Sequence, residues 1–261
     1  MTTRDRAPLG APCWAELSTP DAAASRHFYG ELLGWEPAEP EPEFGPYFLF
    51  TLRGAPVAGC MPAEDGTVPV GAWTISLATD DAARTTAAAV AHGGQVVAPA
   101  DTVGDLGHYA LLTDPGGATV GAWQPGTFPG FTVLGEPGAP GWFELHTRDH
   151  AAAVAFYQAV FGWKTRVESD TDEFRYVTMR DPAGGDADHA GIMDASGYLP
   201  LDVPAHWVVY WCVEDVDAAV AVATAAGGTV TQEPADTPYG RLAAVIDPTG
   251  AHLRLSHHRR D

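Results

Sequence analysis

Gly10-Ala11-Pro12-Cys13-Trp14-Ala15-Glu16-Leu17-Ser18-Thr19-Pro20-Asp21 returns 128 residues later, at position 138 against position 10, as Gly138-Ala139-Pro140-Gly141-Trp142-Phe143-Glu144-Leu145-His146-Thr147-Arg148-Asp149. The same offset carries Phe28-Tyr29 onto Phe156-Tyr157 and Gly34-Trp35 onto Gly162-Trp163. Farther on, Gly93-Gly94 matches Gly227-Gly228, and Asp114-Pro115 matches Asp247-Pro248. A repeat that spans the chain marks a tandem duplication, and the architecture has to be read from the repeated unit.

Within each half a strand-like run, an acidic cap and an Ala-rich amphipathic stretch recur, so the unit appears four times, with helices expected near Asp21, Asp80, Asp149 and Asp215. Thr19-Pro20-Asp21 offers a side-chain cap and a proline suited to the first helical turn. Gly-Gly closes the second and fourth helices, since glycine accepts the left-handed conformation. Short runs such as Tyr47-Phe48-Leu49-Phe50, Tyr109-Ala110-Leu111-Leu112 and Leu242-Ala243-Ala244-Val245-Ile246 read as strands, and Asp114-Pro115-Gly116-Gly117 and Asp247-Pro248-Thr249-Gly250 as tight turns between them. Phe28-Tyr29 and Phe156-Tyr157 read as helix-on-sheet packing. The boundaries implied are 8–126 for the first domain, 127–137 for a Gly/Pro-rich linker, and 138–257 for the second domain.

Composition narrows the partners. The 261 residues carry 34 Asp and Glu against 14 Lys and Arg, a formal net charge of −20. Lys164 is the only lysine, and basic residues crowd only at His257–Asp261. Phosphate neutralisation needs a basic face, so neither nucleic acid nor an anionic membrane is an expected partner. No apolar run approaches the roughly 18 residues that cross a bilayer, and Met1-Thr2-Thr3-Arg4-Asp5-Arg6 lacks a signal-peptide core. Cys13, Cys60 and Cys212 form no CxxC pair, so a reduced, cytoplasmic protein is expected, as monomer or homodimer, with a small-molecule ligand.

The run Trp14–Trp35, its copy at Trp142–Trp163 and the two Asp-Pro-x-Gly turns resemble the vicinal oxygen chelate superfamily, the glyoxalase and bleomycin-resistance fold. The likeness covers nearly the whole chain. It implies an α+β fold built as a tandem duplication of glyoxalase-like domains, each of two paired βαβββ modules whose curled sheet encloses a cleft. More narrowly the chain resembles the tandem-domain actinobacterial members labelled hydroxylases, some of which accompany antibiotic biosynthesis. Fold alone does not fix function.

In that family a divalent metal is held by His, Gln and Glu side chains facing the cleft. This sequence departs from the pattern. The first ligand position reads Trp14 and Trp142, the next Trp73 or Thr74 and Trp207 or Val208, and the closing strand Gly121 and Arg254. The remaining position falls near Gly59-Cys60-Met61 and Gly191-Ile192-Met193. The metal site therefore reads as lost in both halves, and no cofactor is expected, a divalent metal being the alternative. His146, two residues beyond Glu144, with His189, His206 and His252, is the other conceivable metal set, against the plainer reading of scattered surface histidines. His257-His258 reads as a solvated tail.

Alternation puts Trp14, Glu16 and Ser18 on one strand face, and Trp142, Glu144 and His146 on one face of the copy. If that face lines the cleft, each cleft has an aromatic wall and a carboxylate, which desolvation turns into a general acid or base. The other reading has Glu16 and Glu144 paired with an arginine or with backbone amides. His146, Tyr210 and Arg254 are placed with Glu144 as the catalytic set, Arg254 either stabilising an enolate or phenolate or pairing with Glu144. Trp14, Tyr47, Trp73 and His108 are the expected binding residues of the first cleft, and Trp142, Tyr176, His189 and Trp207 those of the second. Cys60 has no evident activating partner. The leading expectation is metal-independent acid/base chemistry on a small oxygenated, aromatic metabolite: isomerisation, elimination, or ring opening or closure. The alternatives are a sequestering resistance protein of the bleomycin type and a metal-dependent lyase or dioxygenase.

Overall fold

The computed structural model describes residues 2–63, 70–180 and 187–257. The first half runs β1 (Thr2–Thr3), β2 (Pro12–Thr19), α1 (Ala22–Leu33), β3 (Glu36–Pro37), β4 (Phe48–Leu52), β5 (Ala55–Pro62), β6 (Ala72–Ala78), α2 (Ala82–Ala91), β7 (Gln95–Val103), β8 (Gly107–Thr113) and β9 (Thr119–Pro125). After β10 (Val133–Leu134), which pairs with β1, the second half repeats the order. It runs β11 (Pro140–Thr147), α3 (His150–Phe161), β12 (Lys164–Asp170), β13 (Arg175–Arg180), β14 (Asp188–Asp194), β15 (His206–Cys212), α4 (Val216–Ala225), β16 (Thr229–Thr237), β17 (Gly240–Ile246) and β18 (His252–His257).

Each half makes one eight-stranded mixed sheet, ordered β3-β4-β5-β2-β6-β9-β8-β7 and β12-β13-β14-β11-β15-β18-β17-β16. The two modules of a half join at the antiparallel β2–β6 or β11–β15 pair, and β2–β5, β6–β9, β11–β14 and β15–β18 run parallel. The fold is α+β and duplicated, as the repeat implies.

Helix starts follow the acidic caps. Asp21 accepts from the amides of Ala23 and Ala24, Asp81 from Arg84, Asp149 from Ala152 and Asp215 from Ala218. These bonds satisfy amides that the helix itself leaves open. The second cap is Asp81, one residue after the expected Asp80, and Pro20 stands before the cap instead of inside the first turn. Gly34 and Gly162 end α1 and α3 at φ of 69° and 70°.

The helices meet across the halves, α1 against α4 and α2 against α3. Tyr29 Oη donates to Asp247 Oδ2 at 2.9 Å, and in the mirrored contact Tyr157 Oη donates to Asp114 Oδ2 at 3.3 Å. Trp35 Nε1 donates to Gly138 O (2.7 Å), and Trp163 Nε1 to Gly10 O (2.9 Å). Phe28 lies over Gly228 and Phe156 over Gly94, where a Cβ would stand 2.8 and 2.9 Å from the opposing ring carbon. Phe-Tyr, Gly-Trp, Gly-Gly and Asp-Pro are therefore the seam between the two halves, beyond the helix-on-sheet packing expected of the aromatic pairs. Segment 127–137 is packed into the molecule: Phe131 is fully buried against Trp14 and Phe143. His257 closes β18 with Nδ1 donating to Val213 O at 3.2 Å, in place of the expected tail; His258 lies outside the described residues.

Candidate functional site

Register decides which side chains share a face. On β2, Ala15 and Leu17 stand opposite Ile75 and Trp73 on β6 and turn toward the seam. Trp14, Glu16 and Ser18 stand opposite Ser76, Thr74 and Ala72, on the other face. In the second half Trp142, Glu144 and His146 stand opposite Tyr210, Val208 and His206, and Tyr210 is in register with Arg254.

Both clefts are built on the same floor. Trp14 Nε1 donates to Tyr47 Oη at 3.1 Å, and Trp142 Nε1 to Tyr176 Oη at 2.8 Å. Each tyrosine in turn bonds the glutamate of its own half. Gly59 and Gly191 lie under these phenols, and a Cβ at either would collide with the hydroxyl. The glycines facing Glu16 and Glu144 are thus required by a close approach, not by a turn.

Above the floor the halves diverge. In the second, His146 Nε2 meets Glu144 Oε1 at 2.7 Å, Tyr210 Oη donates to the same oxygen at 2.8 Å, and Tyr198 Oη meets His146 Nδ1 at 2.9 Å. The tautomer that satisfies both ring contacts carries its proton on Nε2, toward the carboxylate. Glu144 and His146 are 6% and 4% exposed. Burial pushes the Glu144 carboxyl up, but His146, Tyr210 and Tyr176 together outweigh it and hold the group below its ordinary value. Glu144 is thus a buried carboxylate with its acceptor sites taken by its own chain.

In the first half the His146 position is Ser18, the Tyr210 position Ser76 and the Arg254 position Gly121. Glu16, half-buried, keeps only its phenol. Burial pushes its carboxyl up to about 7 against the lowering effect of the Tyr47 hydrogen bond. Ser18 Oγ is buried without a hydrogen-bond partner, an acceptor and donor left for a bound group. Tyr109, on β8 in register with Trp123, is close enough for the Glu16 charge to raise its phenol, which burial already raises well above the ordinary range.

Several expected site residues lie elsewhere. Trp73 and Trp207 sit on the opposite face: their Nε1 atoms donate to Tyr29 Oη (3.2 Å) and Tyr157 Oη (3.0 Å) at the seam. His108 is exposed, bonded to Thr102 and in register with Gln124, whose Oε1 caps the start of α2; its neighbour Tyr109 faces Glu16. His189 is half-buried on β14, two residues before Gly191. Cys60 is buried opposite Phe48 and Leu17, on the seam side. Arg254 makes no ion pair with Glu144: Tyr210 bonds Glu144 through its hydroxyl and carries the guanidinium over its ring at 5.6 Å. Among the described residues, neither glutamate pairs with an arginine. Ser18, which alternation already places on the Trp14 and Glu16 face, is joined by Tyr109, Ser76 and Tyr198, which the sequence reading passed over; alternation along β6 and β8 is the signal available for Ser76 and Tyr109.

The sequence profile of the Glyoxalase/Bleomycin resistance protein/Dioxygenase superfamily matches residues 13–121 and 139–255. "Putative glyoxylase CFP32" of Mycobacterium bovis is 40% identical over 258 residues, covering 96% of each chain. "Anthracycline biosynthesis protein DnrV" of Streptomyces peucetius is 37% identical over 260 residues, covering 93% of this chain and 91% of that protein. Among solved structures, the Mn(II)-bound glyoxalase from Novosphingobium aromaticivorans shares the fold with a TM-score of 0.65 at 17% identity, covering 95% of this chain and 82% of that one. That Mn(II)-bound neighbour overturns the expectation that the fold carries no cofactor. Among the described residues no three His, Cys, Asp or Glu side chains converge as a ligand set. Glu144 and His146 are bonded to each other beside a guanidinium, and Glu16 has the Tyr47 phenol as its hydrogen-bond partner, with Tyr109 and the Cys60 thiol near enough to feel its charge. Among the described residues these side chains do not fit a three-ligand metal site.

Proposed function

The chain belongs to the Glyoxalase/Bleomycin resistance protein/Dioxygenase superfamily, and from that premise we propose that its first cleft transfers protons on a small oxygenated aromatic metabolite, with Glu16 as the acid/base. The observation that carries this reading is the contrast between the two glutamates. Glu16 has a carboxyl pushed up to about 7 and one phenol partner, whereas Glu144 is anionic, buried and fully engaged. A group that titrates near neutrality both accepts and returns a proton at working pH. Trp14, Tyr47 and Tyr109 supply apolar ring faces for an aromatic ligand. The name of the Streptomyces relative supports an oxygenated aromatic substrate of the anthracycline kind.

The chemistry follows from the side chains. The Glu16 carboxylate takes the proton from a carbon beside a carbonyl; the C–H electron pair moves into the carbon framework and leaves an enolate oxygen. Tyr109, whose phenol stays protonated, and Ser18 are the donors available to that oxygen. Return of the proton to a different carbon completes an isomerisation, and loss of a β-substituent completes an elimination.

The test is deuterium uptake from D2O by an anthracycline aglycone with an enolisable carbonyl, read by mass spectrometry. Uptake should be catalysed, with a rate that rises through a midpoint near pH 7. Glu16→Gln should cut the rate on the order of a hundredfold or more, while Glu144→Gln leaves most of it. Unchanged uptake in Glu16→Gln would sink the assignment, and tight binding with no uptake would favour sequestration.

A further inference from the structure

In an acidic chain, cations are normally matched with carboxylates. Arg53, Arg84, Arg166, Arg175 and Arg241 each meet at least one. Among the described residues Arg4, Arg6, Arg26, Arg148 and Arg254 show no such pair: Arg4, Arg6 and Arg148 donate to main-chain carbonyls, and Arg26 lies over the Phe48 ring. Arg254 Nη1 donates to the neutral Gln232 Oε1 at 2.9 Å and its Cζ stands 5.6 Å from the centre of the Tyr210 ring; among the described residues the rest of the planar donor fork has no acceptor. It projects from β18 on the face that carries Tyr210, and strand alternation puts His252 on that face too.

Other basic groups gather beside it. His206 is half-buried and stacks on His146 with ring centroids 5.6 Å apart. Its Nδ1–H donates to Pro204 O at 3.1 Å, so Nε2 is an acceptor in the neutral ring and becomes a donor to a ligand only when the ring takes up a proton. Burial lowers the His206 imidazole first; the Pro204 bond opposes this, and electrostatic coupling to His146, His252 and Arg254 lowers it further. Glu144, on the same strand face as His146, has its charge met by His146, Tyr210 and Tyr176 and does not compensate the cluster. In the first cleft the positions of Arg254 and His206 are Gly121 and Ala72, so the cluster belongs to the second half alone.

We propose that the second cleft is a binding site for the anionic oxygen group of a small metabolite, a carboxylate or a phosphate, held by Arg254 with the His206 ring, which takes up a proton from solvent as the anion binds, as the second donor. An anion there supplies the counter-charge that the chain withholds from Arg254 and relieves the repulsion on His206. The site does not depend on the role of Glu16.

The experiment is a titration of the full chain at pH 7 with sodium benzoate and, separately, inorganic phosphate. It is followed through the His206 ring Cε1–H resonance, assigned with His206→Gln. Saturable shifts in which bound anion raises the His206 pKa are expected with at least one of the two probes, and the tighter one identifies the group as carboxylate or phosphate. Arg254→Gln should weaken binding on the order of tenfold or more with the thermal midpoint retained, and Glu16→Gln should leave it unchanged. Absence of saturable binding in the unmodified chain overturns the proposal without recourse to any variant. Equal affinity in a folded Arg254→Gln, or loss of binding in Glu16→Gln, overturns it as well.

Discussion

At the scale of the residue, one difference between the repeats sets the charge of a glutamate. His146 donates into Glu144, and the aligned Ser18 leaves Glu16 without that partner. Replacing Ser18→His should lower the Glu16 carboxyl from about 7 toward the ordinary carboxylate range; a carboxyl-carbon NMR titration reads this directly, and an unmoved midpoint contradicts it. The same shift has a consequence for stability. A carboxyl raised on folding binds its proton more tightly in the native state, so the native state is favoured below the unfolded value and loses stability as pH rises through about 7. Glu16→Gln removes that loss, and the variant should gain about 1–3 kcal/mol on the parent at pH 8 relative to pH 5, measured by thermal melts at both. Glu144, held low, carries the opposite sign: its contribution is present at neutral pH and is lost as pH falls through its folded value. Alternation in the sequence is sufficient to put both glutamates beside tryptophan on one strand face. It says nothing about how many phenols reach each carboxyl, because those come from Tyr47 just before β4, Tyr176 on β13 and Tyr210 on β15, whose registers no local pattern specifies.

At the scale of the element, sheet register separated true cleft groups from false ones. Trp73 and Thr74 were equal candidates in the sequence, as were Trp207 and Val208, and a one-residue step sends the side chain to the other face. The indoles went to the seam because Tyr29 and Tyr157 there accept their N–H groups in a dry interior. The Gly-Gly pairs were legible as helix stops, but only the first glycine of each has a positive φ, 87° at Gly93 and 89° at Gly227. The second leaves room for a phenylalanine of the opposite half. Gly228→Ala should therefore destabilise by about 1–3 kcal/mol through overpacking against Phe28, detected as a lower urea midpoint, and pairing it with Phe28→Leu should recover part of the loss. A helix-stop role alone predicts no such recovery.

At the scale of the whole molecule, the duplication was plain in the sequence because the repeated residues are the ones that bind the halves together. Trp35 and Trp211, with centroids 4.8 Å apart, and Tyr29, Trp73, Tyr157 and Trp207 belong to a core that neither half completes alone. Urea unfolding of the full chain should follow a single transition, coincident by tryptophan fluorescence and by circular dichroism; two separated transitions would show the halves to be independent. The crossed tyrosine–aspartate contacts bear on ancestry as well. Each half reaches into its counterpart by the same bond, the self-complementary pattern of an isologous dimer. Two identical subunits would be obliged to carry the same residue at every related position, so any change in one cavity would appear in the other. Joining them in one polypeptide removed that obligation while leaving the mating surfaces intact, and a serine in one cavity with a histidine in the other records the freedom gained.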